Sequence, residues 1–228
     1  MPGSIEGSAT RDLPELPPEA FAKRDPTPDA VFYAQPRFVT HIDDAAIAAV
    51  SDLYRAVLPR DGVILDLMSS WVSHLPEEAT YAAVIGHGLN ARELAANARL
   101  ARYFVQDLNA DPALPLETAS VDAVTICVSV QYLQQPVAVL REVARVLRPD
   151  APAVVTFSNR CFPTKAVAIW GALGAGDHGP LVGLYLRRAG FARVEVRTVV
   201  PKGGAGDPLT AVIGWTAGQP VAVIAPPS

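Results

Sequence analysis

Two rhythms of apolar positions alternate along the chain. Short, near-continuous apolar runs fall at Val63–Leu67, Ala82–His87, Tyr103–Gln106, Ala123–Val128 and Ala153–Phe157, as expected of strands buried on both faces. Between and around them helical spacing runs through Ala45–Leu58, Asn90–Leu100, Val137–Leu147 and Leu181–Ala189, in the first of which Ile47, Val50, Leu53, Tyr54 and Val57 form the apolar stripe. Asp43 or Asp44 is placed to cap that helix. Strands alternating with helices predict a parallel sheet covered on both sides. The rhythm changes at the end: 192–200 and 209–217 are β-rich and are joined by the glycine-rich stretch 201–208. With no helix between them, they predict a hairpin carrying an antiparallel edge strand. The expected fold is α/β, a Rossmann-like doubly wound sheet of seven mostly parallel strands with an antiparallel C-terminal hairpin.

Composition narrows this picture. At 228 residues, 50% hydrophobic and 18% charged, the chain suits one well-buried domain with an extension. Residues 1–30 carry Pro2, Pro14, Pro17, Pro18, Pro26 and Pro28 among many charges and are expected to be a flexible arm, or one draped over the domain. Residues 31–60 form a lid and helical segment, and 61–228 the main domain. The net charge of −4, with nineteen scattered Lys and Arg, argues against nucleic acid as a partner and favours a small neutral or cationic substrate. Cys127 and Cys161 have no CxxC spacing and are expected as reduced thiols of a cytoplasmic protein. No apolar stretch approaches the roughly 20 residues that cross a bilayer, so no membrane is expected. Oligomeric state is not encoded in these patterns.

In an open α/β sheet, ligands bind beyond the carboxyl ends of the strands, so the chemistry is sought there. The first strand runs into Asp66-Leu67-Met68-Ser69-Ser70-Trp71-Val72-Ser73-His74, a polar and aromatic loop without glycine. Its serines equally suit a helix cap, with Trp71 in the core. The second strand ends in Gly86-His87-Gly88-Leu89-Asn90, where Asn90 suits a cap and His87 or Asn90 a ligand hydroxyl. The third ends in Gln106-Asp107-Leu108, with Asp107 also placed for a turn before Asn109. The fourth leads to Ser129-Val130-Gln131-Tyr132, the last a hydrogen-bond donor or a packed ring, and the fifth to Asn159 and Arg160, whose guanidinium suits a carboxylate or phosphate. Tyr33, Arg37, His41 and Asp43 form a polar run before the first helix. His41, His74 and His87 lack metal-ligand spacing, so no metal is expected. There is no nucleophile elbow, P-loop or GxGxxG.

Asp107-Leu108, Ser120–Val124 and Leu140–Pro149, in this order and spacing, resemble the class I S-adenosylmethionine (SAM) dependent methyltransferases of the small-molecule, type 11-like kind. The resemblance covers 63–149 and extends more loosely to the hairpin. It puts Asp66 at the family's acidic position, but Met68, Ser70 and Val72 where that family has glycines, so the loop is expected to take another path. Gly88 stands near the position of the family's ribose-binding acid. The resemblance implies SAM as cofactor, held by Asp66, Ser69, Ser70, His87, Asn90, Asp107, Leu108 and Ser129. Substrate would meet Tyr33, Arg37, Trp71, Gln131 and Asn159, with His41, His74 or Tyr132 as base. The implied function is methyl transfer to a small molecule. The missing glycines leave two alternatives: a fold kept without methyl transfer, or SAM used for cyclisation or elimination.

Overall fold

The computed structural model describes residues 12–204 and 206–218. Seven strands, β1 (Val63–Leu67), β2 (Ala83–Gly88), β3 (Arg102–Val105), β4 (Ala123–Cys127), β5 (Pro152–Ser158), β6 (Arg193–Val200) and β7 (Leu209–Trp215), form one sheet. Their order is β3-β2-β1-β4-β5-β7-β6. The first five are parallel, and β7 pairs antiparallel with both β5 and β6. The expected fold class is observed, including the hairpin that leaves β6 at one edge.

Because side chains alternate across a strand, each central strand feeds both faces. Leu65, Leu67, Val124, Ile126, Val155 and Phe157 join one core cluster, while Ile64, Ala123, Val154, Ala211 and Ile213 join the other. Of the helices, α1 (Asp29–Phe32), α2 (Asp44–Val57), α3 (Ala91–Ala96), α4 (Pro136–Val146), α5 (Ala168–Ala172) and α6 (His178–Arg188), the first cluster takes in α4 through Val139, Leu140, Val143 and Val146 and α6 through Val182 and Leu186. Helix α2 closes the second with Ala46, Val50, Leu53 and Tyr54, capped by the Asp43 carboxylate accepting the Ala46 N–H at 2.9 Å. Pro136 begins α4 at a position where the missing N–H costs no hydrogen bond.

Two departures from the sequence pattern shape the site. No helix connects β1 to β2: residues 68–82 cross as irregular chain, so Ser69 and Ser70 cap nothing. Helix α3 stops at Ala96 rather than near Leu100, because Asn97 turns its amide to the Ser70 carbonyl at 3.0 Å and to the Ser73 hydroxyl at 2.8 Å.

From Leu13 onward the N-terminal arm lies on the domain, so for these residues the flexible reading gives way to the draped one; residues 1–11 lie outside the described part. Leu13, Ala20 and Phe21 are buried in the first core cluster. The backbone of this strap pairs with residues after β5, as Lys23 does with Val167 and the Asp25 N–H with the Thr164 carbonyl at 2.9 Å. Lys165, fully buried, reaches Asp29 at 3.4 Å and Asp25 at 3.3 Å, and Lys23 pairs with the same Asp29. Buried cations joined to buried carboxylates hold the strap in one place, since releasing either partner would strand a charge. No helix among the described residues is long and apolar enough to cross a membrane.

Candidate functional site

A cavity of about 560 Å³ opens at the carboxyl ends of β1 to β5, on either side of the point between β1 and β4 where strand order reverses. Its floor is made by residues following the strands, and its roof by the strap segment from Asp29 to His41 together with Cys161 and Phe162. The volume lies in the range, roughly 300–1,000 Å³, of small-molecule sites.

The floor is built around Met68. Its φ of +57° keeps the left-handed turn that a glycine would take there, at a cost on the order of 1 kcal/mol. The loop therefore does not avoid that turn, as the missing glycine suggested; the Met68 side chain packs against the first core cluster instead. Across the crevice, Val128 follows β4 with φ +44°, a costly conformation for a β-branched residue. Strained residues thus flank both sides of the switch point and line the cavity.

Two side chains fix this loop from beneath. The Asp66 carboxylate, buried at 2% exposure, accepts the Ser69 hydroxyl at 2.5 Å and the Thr125 hydroxyl at 2.8 Å. Burial raises its pKa, and hydroxyls of Ser69, Ser73 and Thr125 pull it back down. His87 accepts the Met68 N–H on Nδ1 at 3.1 Å, and its Nε2–H donates to the Gln106 carbonyl at 2.9 Å. The Ser69 N–H also donates to the His87 carbonyl at 2.6 Å. Both ring nitrogens are spent, so His87 ties the ends of β1 and β3 together and is not a ligand-binding group. Asn90 is likewise consumed: its Oδ1 caps α3 by accepting from Arg92 and Glu93, and its Nδ2 donates to the carbonyls of Tyr33 and Ala34.

Burial pushes the His87 pKa down to about 4, and the sign of its effect on stability follows. The folded state binds its proton more weakly than the unfolded state, so stability is full above about pH 6.5 and falls as pH drops toward 4. The loss amounts to about 3 kcal/mol. His41 and His74, whose pKa values burial also lowers, act in the same direction. Urea unfolding across this window should show the slope. His87→Gln, which offers one acceptor and one donor without titrating, should flatten it.

Fourteen of the sixteen proposed contact residues line this one cavity: His41, His74, Tyr132, Asp66, Ser69, Ser70, His87, Asn90, Asp107, Leu108, Ser129, Tyr33, Arg37 and Asn159. Trp71 and Gln131 do not. Trp71 leans edge-on against Phe38 and donates its indole N–H to the Val39 carbonyl at 3.0 Å, holding the roof from outside. Gln131 points its amide back to the Val128 carbonyl at 2.8 Å. Tyr132 lines the cavity, but its hydroxyl accepts the Phe162 N–H at 2.9 Å and burial pushes its pKa up to about 12, which removes it as a base. Asp107 does form the turn: one oxygen accepts the Asn109 N–H at 2.9 Å, and the other has no protein partner among the described residues. The Ser129 hydroxyl is buried in the cavity wall with no partner at all among them.

Glu93 had no place in the sequence reading, yet its carboxylate lines the cavity at 8% exposure. It accepts the Ser70 hydroxyl at 2.6 Å and the Arg37 backbone N–H at 2.7 Å, joining floor to roof. The sequence signal was present, since Asn90 followed three residues later by Glu93 is a helix-start pattern. There the Glu normally folds back on its own helix; here it turns outward.

Residues 69–155 match the model of a family described as a methyltransferase domain. A comparison with curated proteins gave no match. Among solved structures, an S-adenosylmethionine dependent methyltransferase from Mesorhizobium loti is 18% identical with a TM-score of 0.50, over 74% of this chain and 98% of that one. A possible histamine N-methyltransferase from Thermotoga maritima is 16% identical at TM-score 0.54, over 75% and 89% of the two chains. Phosphoethanolamine N-methyltransferase 2 of Haemonchus contortus, solved with S-adenosyl-L-methionine, is 13% identical at TM-score 0.54, over 75% of this chain and 52% of that one. At such identities the likeness is one of fold.

Proposed function

We propose that this chain, a member of the class I SAM-dependent methyltransferase superfamily by its fold and its domain match, binds SAM in the strand-end cavity and transfers the methyl group to a small molecule. The observation that carries this reading is the cavity itself: it lies at the strand ends, Asp66, Glu93 and Asp107 are among the residues that line it, and the strap segment from Asp29 to His41 forms its roof. The residues fit the cofactor. Met68 keeps a left-handed turn without glycine, and among the described residues the Ser129 hydroxyl has no partner and the buried Glu93 carboxylate accepts from neutral donors alone. Asp107 with Leu108 would hold the adenine, and Glu93 would take the ribose hydroxyls in place of the acid that Gly88 lacks.

Bound SAM supplies a methyl group already activated on a sulfonium, so the protein's share is mostly positioning. Burial keeps His41 and His74 neutral near pH 7, and either can take the proton that the nucleophile loses as it attacks the methyl carbon. Isothermal titration with SAM and S-adenosylhomocysteine (SAH), followed by mass spectrometry, tests the reading. Micromolar binding with intact SAM supports a transferase; breakdown of SAM alone points to cyclisation or elimination. No binding at millimolar ligand, where even a 1 mM dissociation constant corresponds to about 4 kcal/mol, means the fold serves another purpose. Glu93→Gln should weaken SAH about tenfold. An SAH analogue lacking the ribose 2′-hydroxyl should lose as much in the parent protein and no more in the variant.

A further inference from the structure

Two guanidinium groups line the cavity, Arg37 from the roof and Arg160 from the turn after β5. Arg37 is half-buried, with its head 4.6 Å from the ring centroid of Phe32 and 5.5 Å from those of Tyr33 and Phe162. It donates to the Phe32 carbonyl at 3.0 Å and, at 3.5 Å, to that of Gln35. Among the described residues no carboxylate pairs with it; the neighbouring Glu93 takes its backbone N–H instead. Arg160 is tied to Asp207 through Nε at 2.8 Å, and both of its terminal nitrogens have no partner among the described residues. Both arginines line the cavity.

The rings around the Arg37 head fix its position, and although each terminal nitrogen gives one N–H to a backbone carbonyl, the second N–H on each and the Nε–H have no partner among the described residues and can donate to a carboxylate or phosphate. A partly desolvated cation without a counter-ion also gains most from an anion brought to it. The cavity wall therefore carries two guanidinium groups, Arg37 in the roof and Arg160 just after β5, while the roof carboxylate, Asp29, is already taken by Lys23 and Lys165. The net charge of −4 suggested a neutral or cationic substrate, but the local field at the site, not the total, selects a ligand.

We propose that the methyl acceptor is a small organic acid, its carboxylate or phosphate held by Arg37 and Arg160 and its apolar body laid against Phe162. This rests on the methyl-transfer reading for the word acceptor, but the anion site is testable apart from it. His41 lies edge-on to the same ring with centroids 5.5 Å apart, so a nucleophile carried on such a body would meet a neutral base. In the transfer, the nucleophile's lone pair forms the new bond to the methyl carbon and the carbon–sulfur bond breaks with its electron pair left on sulfur. The displaced proton passes to the imidazole.

The test uses the full chain saturated with SAH and four probes of one size: benzoate, phenyl phosphate, benzamide and benzylamine, followed by ligand-observed NMR. The acids should bind and benzylamine should not. Arg37→Gln should weaken the acids about tenfold or more, and Arg160→Gln, at a largely exposed side chain whose Nε pairs with the buried Asp207, should weaken them less. Thermal unfolding reports whether each variant is folded. Equal binding of acid, amide and amine, or acid binding indifferent to both substitutions, overturns the proposal. If the parent protein fails to bind SAH, the methyl-transfer reading fails; the same probes on the unloaded chain then decide the anion site by the same outcomes.

Discussion

Gly88→Ala is expected to lower stability by about 3 kcal/mol, roughly a 10 °C fall in melting temperature for a chain of this size, and to abolish SAH binding. A Cβ at residue 88 would stand 2.5 Å from the backbone carbonyl oxygen of Ser69, closer than any side-chain adjustment can relieve. The Ser69 peptide has nowhere to retreat. Its N–H is bound to the His87 carbonyl, the preceding Met68 N–H to the His87 ring, and its hydroxyl to Asp66. Moving it must loosen the loop that forms the cavity floor. Gly171 provides the contrast: a Cβ there meets nothing within 4 Å, so Gly171→Ala, inside α5, should leave stability unchanged or raise it by up to about 1 kcal/mol. Calorimetry of both variants checks the pair. Equal melting temperatures would mean that β2 does not press on the loop.

The same contact explains why part of the site was unreadable from sequence. The strand and helix pattern announced the sheet, its order of elements and its antiparallel end, because each depends on periodicity within a few residues. The ends of the strands then located the cavity, which is why Asp66, Asp107, Ser129 and Asn159 all lie in its wall. What each group does there depends on partners far away in the chain. His87 is occupied by Met68 and Gln106, Asn90 by Tyr33 and Ala34, and Glu93 by Ser70 and Arg37. No local pattern reveals these pairings.

The glycine rule failed for a related reason. A left-handed turn favours glycine but does not demand it: Met68 adopts the turn at a modest cost that its packing against the core offsets. The irregular crossing from β1 to β2 was equally hidden, since residues 70–82 carry serines and an apolar Trp71 that also suit the start of a helix. With no helix there, Ser70 and Ser73 are free to bond Glu93 and Asn97, and the strap occupies the space above them. The polar loop that looked like a damaged glycine turn is thus the point where floor, α3 and roof are joined.

Asp107→Ala is expected to cost about a hundredfold in SAM and SAH affinity, near 3 kcal/mol, the upper end for a hydrogen bond to a charged group. Asp107 does two things at once, and a single substitution would confuse them. One oxygen holds the turn by accepting the Asn109 N–H, and that turn positions Asn109, whose amide donates to Asp29 of the strap at 3.0 Å and to the Tyr132 carbonyl at 3.0 Å. The other oxygen has no protein partner among the described residues, and Asp107 lines the cavity. Asp107→Asn keeps an acceptor for the turn while removing the charge, so it should retain the parent melting temperature and lose only about tenfold in affinity. Asp107→Ala should lose both, with melting lowered by the cost of the turn. If Asn and Ala variants bind SAH equally well, and as tightly as the parent, Asp107 serves the turn alone and the adenine must be held elsewhere in the cavity. If the Asn variant alone keeps measurable binding, the carboxylate reads the ligand and the turn presents it, and the strap is coupled through Asn109 and Asp29 to whether the cofactor is in place.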